Sequence, residues 1–361
     1  MFALSPNNTF RNYIIAIVFC LVHGFMFELS GQDDTIHIDL FSKFPGYSDL
    51  FEKEEPFVCT LKVNLKKYQH EKYEGKYHPG KLIYTHNDSL ISKSVRIKAR
   101  GVIRRKICAV PPIRLNIQKV NKQDKYAFGL SKIKLVTHCH YNANNINYLF
   151  REFLVYKLYN IVTDKSFRVR LIKIVYIDTG RKNKQLTTWA FALEPQELLA
   201  ERLGCISIKM DNMGYSVSDS ATVDLLALFQ YMIGNTDYSI MGRHNVKLIK
   251  SKDHTKPELY PIPYDFDYSG VVNAHYALPG EGLGIESVRE RLYAGPCRDL
   301  IDYHTAAQHL VSKQAEFKAT IESFEYLEDF QKNDILNYID NFFRNINRPN
   351  YIKYHIDPDC L

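Results

Sequence analysis

Four polar side chains between residues 237 and 267 have types and spacing that suit phosphoryl transfer. Asp237 closes the run Gly234-Asn235-Thr236-Asp237, Asn245 follows eight positions later, and Asp265 and Asp267 flank Phe266. Phosphoryl transfer asks little covalent chemistry of a protein. One loop Asp accepts or orients the nucleophile's proton, while an Asn and a second Asp hold the cations that bridge the phosphates. Magnesium needs few carboxylates because substrate oxygens complete its shell. Each residue alone also suits a turn, since Asp and Asn side chains bond the local backbone. Asp265 and Asp267 are a stronger signal. At i and i+2 of an extended chain they point to one side, where two carboxylates repel unless a cation sits between them.

Positioning these groups falls to a helix and a hairpin. Asp219 can cap a helix running through Val223, Leu226, Phe229 and Tyr231 to Ile233, with Gly234 as its stop. A polar loop (235–244) leads to strand Asn245–Ile249, a charged turn and strand Leu259–Tyr264. The 28 residues from 237 to 265 give a hairpin enough length to bring the second Asp back beside the first. Further helices are expected over Tyr303–Ser323 and Asp334–Asn345.

Before residue 195 the pattern is β-rich. Strands are expected over Phe57–Leu65, Val95–Lys98, Ile113–Ile117, Val169–Ile177 and Thr187–Leu193, and a helix over Ile146–Val162 from Leu149, Phe153, Tyr156 and Asn160. Arg100, Arg104, Arg105 and Lys106 form the densest basic cluster, which either grips phosphate or is a solvated loop. Arg289, Arg291 and Arg298, with the Gly- and Pro-containing stretch Val271–Gly284 around Tyr276, could serve an acidic acceptor. The division reads as 1–31 signal peptide, 32–56 N-terminal extension, 57–195 β-rich lobe and 196–361 helical lobe.

The 361 residues carry 47 Lys+Arg against 40 Asp+Glu, a net charge of +7, with 45% apolar and 24% charged residues. That composition belongs to a folded protein and excludes disorder and collagen-like repeats. The basic residues are scattered, which argues against nucleic acid as a partner. Tyr13–Phe27 is apolar but shorter than the ~20 residues a membrane span needs, and fits a signal-peptide core. The expected localisation is therefore exported (periplasm, cell surface or secreted), with no stable membrane span after cleavage following Gly31. The six cysteines beyond Cys20 permit three disulfides whose pairing stays open. Thr137-His138-Cys139-His140 admits a metal cluster or a plain strand or loop.

Gly234-Asn235-Thr236-Asp237, Asn245 and Pro261-Ile262-Pro263-Tyr264-Asp265-Phe266-Asp267 resemble the C-terminal-lobe signature of the CotH spore-coat protein kinases. These are atypical kinases, similar also to HipA-type kinases, and uncharacterised exported CotH-like proteins look nearer still. The likeness covers roughly residues 90–270 and is clearest over 230–270. It implies an α+β, bilobal protein-kinase-like fold with a β-rich N-terminal lobe and a mostly helical C-terminal lobe. It further implies ATP or another nucleotide as cofactor with Mg or Mn, and transfer of the terminal phosphate to a protein or small-molecule acceptor. Carried over by motif, Asp237 is catalytic, Asn245 and Asp265 are metal ligands and Asp267 is the next carboxylate. Arg114 or Lys98 paired with Glu152 would be the nucleotide-binding base, with Arg100 beside it.

Two departures sustain an alternative. The Asp237–Asn245 spacing is wider than usual for kinases. The phosphate-binding Lys expected on an N-lobe strand is also missing, the strand Ile113–Ile117 carrying Arg114 and Lys98 sitting on an earlier strand, with no Gly-rich loop around Gly101. An exported location also holds little ATP. The second expectation is thus a catalytically inactive binding or interaction module at the cell surface or in the periplasm. A third, a secreted hydrolase using Asp265 and Asp267, is weaker because an i, i+2 pair reaches only the lower end of glycosidase carboxylate separations.

Overall fold

Alternating apolar positions in the first half pair into seven strands. The computed structural model describes residues 48–86, 88–117, 132–140, 143–210 and 214–356, all within one compact unit. The expected signal peptide, most of the expected N-terminal extension, Cys20 and Cys360 lie outside the described residues. The strands are β1 (Phe57–Val63), β2 (His78–His86), β3 (Ser89–Ala99), β4 (Ile113–Ile117), β5 (Lys132–Thr137), β6 (Val169–Asp178) and β7 (Lys184–Leu193). They close into a barrel of order β1-β2-β3-β4-β5-β7-β6, antiparallel throughout except where β1 runs parallel to β6. Leu61, Ile97, Leu115, Ile133, Ile174 and Ala190 fill its interior.

This corrects the expected fold. The molecule is α+β, but its N-terminal half is a closed seven-stranded barrel and not the β-sheet lobe of a bilobal protein-kinase-like fold. Two strands without an expectation in the sequence, β2 and β5, complete the ring, and the β1–β6 pairing closes it. Closure buries one face of every strand and leaves no open edge.

Helix α1 (Ala143–Val162) follows β5 and packs its aromatic side against barrel and helices alike. Tyr156 meets Phe191 of β7 and Phe266, and Tyr159 meets Phe229. After α2 (Gln196–Arg202) comes a three-stranded sheet of order β10-β9-β8, made of β8 (Cys205–Ile208), β9 (Val246–Ser251) and β10 (Leu259–Pro263). Helix α3 (Ser220–Ile233) has the expected bounds: the Asp219 carboxylate accepts from Thr222 N–H, and Gly234 ends it in the left-handed region at φ 66°. Helices α4 (Leu300–Ser312), α5 (Gln314–Glu322) and α6 (Asp329–Ile346) complete the core, the single helix expected over 303–323 being broken at Lys313. Among the described residues no helix is long and apolar enough to cross a membrane.

Candidate functional site

Two loops are tied together before any side chain is considered. Gly270 N–H donates to the Gly234 carbonyl at 2.9 Å, Val271 N–H to Ile233 at 3.1 Å, and Tyr264 N–H to Asn245 at 2.9 Å. A Cβ on Gly234 would sit 2.1 Å from the Tyr338 hydroxyl and one on Gly270 would sit 2.5 Å from the Val288 carbonyl, so both positions require glycine for the close approach. The β9–β10 hairpin pairs Val246 with Pro263 and so sets Asp265 next to Asn245.

The result is a cavity of about 410 Å³. Asp237, Asn245, Asp265 and Asp267 line it from the loops after α3 and the β9–β10 hairpin; Arg100, Arg104, Arg114 and Lys134 line it from the barrel strands and their connections. Arg243, His244 and Lys247 complete the rim. Arg243, Asn245 and Asp265 all adopt positive φ (48°, 51° and 66°) without being glycine. Such strain persists only where surrounding structure enforces it, and it concentrates at functional sites.

Asp237 is held at both oxygens. His244 Nε2 lies 2.7 Å from Oδ1, and Asn245 Nδ2 donates to Oδ2 at 2.9 Å and to the Asp237 carbonyl at 2.8 Å. The Asp237 N–H in turn donates to Asn235 Oδ1 at 3.1 Å. The carboxylate has one orientation, and each oxygen keeps a lone pair for a proton. Asp265 contrasts with it. Its N–H donates to the Tyr156 hydroxyl at 2.8 Å, yet its carboxylate has no hydrogen bond or ion pair among the described residues.

Beneath them lies a buried ion cluster. Arg104 Nη2 donates to Glu152 Oε2 at 2.9 Å and Nε approaches Asp267 Oδ2 at 3.1 Å, while the Tyr276 hydroxyl donates to that same Asp267 oxygen at 3.1 Å. Burial pushes the Glu152 and Asp267 carboxyls upward, and the Arg104 guanidinium pulls both back. Arg104 Nη1 and Glu152 Oε1 are buried without a hydrogen-bond partner. One guanidinium facing two carboxylates leaves the cluster short of positive charge, satisfied by a retained proton or an approaching cation.

Lys134 is the mirror image among the cavity's cations. Burial, then the charges of Arg100, Lys247 and Arg114, push its ammonium down to about 8. Its Nζ lies 5.5 Å from the centre of the Tyr264 ring, and Lys247 Nζ lies 4.9 Å from the same ring.

The sequence-expected residues therefore fall into two groups. Asp237, Asn245, Asp265, Asp267, Arg100 and Arg114 share the cavity. Lys98 does not line it; it lies over the Tyr77 ring at 5.6 Å. Glu152 takes Arg104 as its partner in place of Arg114 or Lys98. Arg289 and Arg298 form ion pairs with Asp334 and Asp224, and Arg291 stacks 3.9 Å over Tyr338, so all three serve packing. Cys139 is bridged to Cys108, which uses up the thiol of the candidate metal cluster. Cys59, Cys205 and Cys297 are free thiols. Sequence reasoning missed Lys134, His244 and Lys247. The alternation Lys132-Ile133-Lys134-Leu135 was the available signal for the first.

Among the described residues no group of three or more His, Cys, Asp or Glu side chains is placed to hold a metal by itself. One free carboxylate, Asp265, fits the other arrangement, in which phosphate oxygens and water supply most of the shell of a magnesium ion. No family model matches the chain, and no curated protein matches it.

Proposed function

We propose that the chain is a phosphotransferase that takes the terminal phosphate of a nucleotide triphosphate. The observation that carries this is an oriented carboxylate, Asp237, and an unengaged one, Asp265, sharing a single cavity with a set of cations. Arg100, Arg114 and Lys134 supply the donors for a phosphate chain, since guanidinium matches phosphate oxygens in pairs and ammonium acts as a point charge. Asp237 accepts or orients the acceptor hydroxyl's proton, with His244 and Asn245 fixing its rotamer. Asp265 would hold Mg or Mn together with the phosphates, the metal neutralising charge there. Asp267 stays bound to Arg104 and keeps the loop in place. The CotH-like motif, on the helix and hairpin that follow the barrel, supports the same chemistry. The Cys108–Cys139 bridge supports an oxidising, exported setting.

The test is conversion of ATP to ADP by the purified chain with Mg or Mn. Asp237→Asn should cut turnover by about 10² or more with the melting temperature unchanged, the range for loss of a general base. Equal turnover in wild type and variant would refute the assignment.

A further inference from the structure

The outer face of the barrel carries cations in direct opposition. Lys98 on β3 pairs with Arg114 on β4, and Arg114 pairs with Lys134 on β5. One rung away Arg96 pairs with Asn116 and Asn116 with Lys132. Their chain neighbours Ile97, Leu115 and Ile133 are buried inside the barrel, so this set faces out. Like charges directly across a ladder destabilise it. A carboxylate on an adjoining strand would relieve the repulsion, yet none of Arg96, Lys98, Arg114, Lys132 or Lys134 has an ion-pair partner among the described residues. Aromatic rings support them instead: Arg96 and Lys98 lie 5.3 and 5.6 Å from the Tyr77 centroid, and Lys134 lies over Tyr264. A cation on a ring keeps its charge available to an anion.

Along β3 the set runs through Arg96 and Lys98, and Arg100, just past the strand's end, lines the cavity. Alternate residues of a strand recur about every 6.6 Å, and an extended peptide presents its own alternate side chains at the same interval. We infer that this face, through Arg96, Lys98 and Lys132 outside the cavity, binds an acidic peptide in extended form, with Asp or Glu at alternate positions, and leads its neighbouring hydroxyl residue into the cavity as the acceptor. The inference rests on the phosphotransferase reading for the acceptor's fate, and on the cation ladder alone for binding. Single-stranded nucleic acid fits less well, because base stacking needs open aromatic faces and Tyr77 and Tyr264 are covered by the cations themselves.

The probe is a fluorescent peptide of alternating Glu and Ala ending in a serine segment, followed by anisotropy at low and moderate salt. Arg96→Glu and Lys98→Glu should each weaken it about tenfold, leave folding intact and lower the salt dependence. Arg96→Glu should keep any stabilisation by ATP with Mg, because Arg96 lies outside the cavity. Binding unaffected by either reversal, or equal binding of a peptide with its Glu residues clustered at one end, would overturn the inference. Tighter binding of an oligothymidylate than of the peptide would also overturn it. Peptide binding that survives in a protein giving no ATP response would uphold the acidic-peptide face and refute the phosphotransferase reading instead.

Discussion

Arg104 Nη2 donates to Glu152 Oε2 at 2.9 Å inside the protein, joining the short helix Ile103–Ile107 to helix α1. The same guanidinium reaches Asp267, so one side chain ties three separate elements beneath the cavity.

Arg104→Met should therefore be costly. Two buried carboxylates lose their counter-charge, which costs about 3–5 kcal/mol for a broken buried pair. Glu152→Gln should cost less, and the double variant less than the sum of both. Denaturant unfolding measures all three. Since burial raises both carboxyls above their usual range, the folded state holds protons that the unfolded chain releases. The Arg104→Met protein should thus lose stability as pH rises out of the carboxylate range, and regain it on acidification.

The Cys108–Cys139 bridge, with a sequence separation of 31, follows directly on the Arg104 helix and fixes it to the end of β5. Ala109 N–H donates to the Cys139 carbonyl at 3.0 Å beside it. Reduction, or Cys108→Ser with Cys139→Ser, should cost about 3–4 kcal/mol for a loop of this length. A scan of melting temperature with and without reductant reads the loss as several degrees.

Lys134 gives the site a pH signature. Its ammonium is pushed down to about 8, below the ordinary 10.5. Below about 8 it is charged and attracts phosphate; above, it becomes neutral. Affinity for ATP or pyrophosphate should therefore fall as pH rises through about 8. Lys134→Met should flatten that profile and weaken binding about tenfold, near 1.4 kcal/mol. In the ligand-free protein the sign is reversed: the depressed group is a penalty below about 8 that disappears by about 10.5, so stability rises across that interval. Calorimetric titration across pH separates the two effects.

Much of the local structure was legible because it has local causes. The Asp219 cap, the Gly234 stop and the strict alternation of Ile113–Ile117 each gave an element its observed bounds. The cavity carboxylates were legible for the same reason, their spacing being set by one hairpin. Barrel closure was not, because the parallel β1–β6 register joins strands more than a hundred residues apart and leaves no trace in either segment. Likewise Glu152 shows no preference in sequence for Arg104 over Arg114 or Lys98. The cation that reaches the interior lies on the short helix Ile103–Ile107, between the turn at Gly101 and the bridge at Cys108.

Asp265 bears most directly on the central claim, that nucleotide phosphates and a divalent cation meet in this cavity. Thermal unfolding of the purified chain with Mg or Mn, with and without ATP, measures it. At a hundredfold excess over the dissociation constant ATP should add about 2.7 kcal/mol of stability. The shift should require the metal and vanish in Asp265→Asn, whose own melting temperature should match the wild type. A protein whose melting temperature ignores every nucleotide, or an ATP shift that Asp265→Asn leaves intact, would contradict the account.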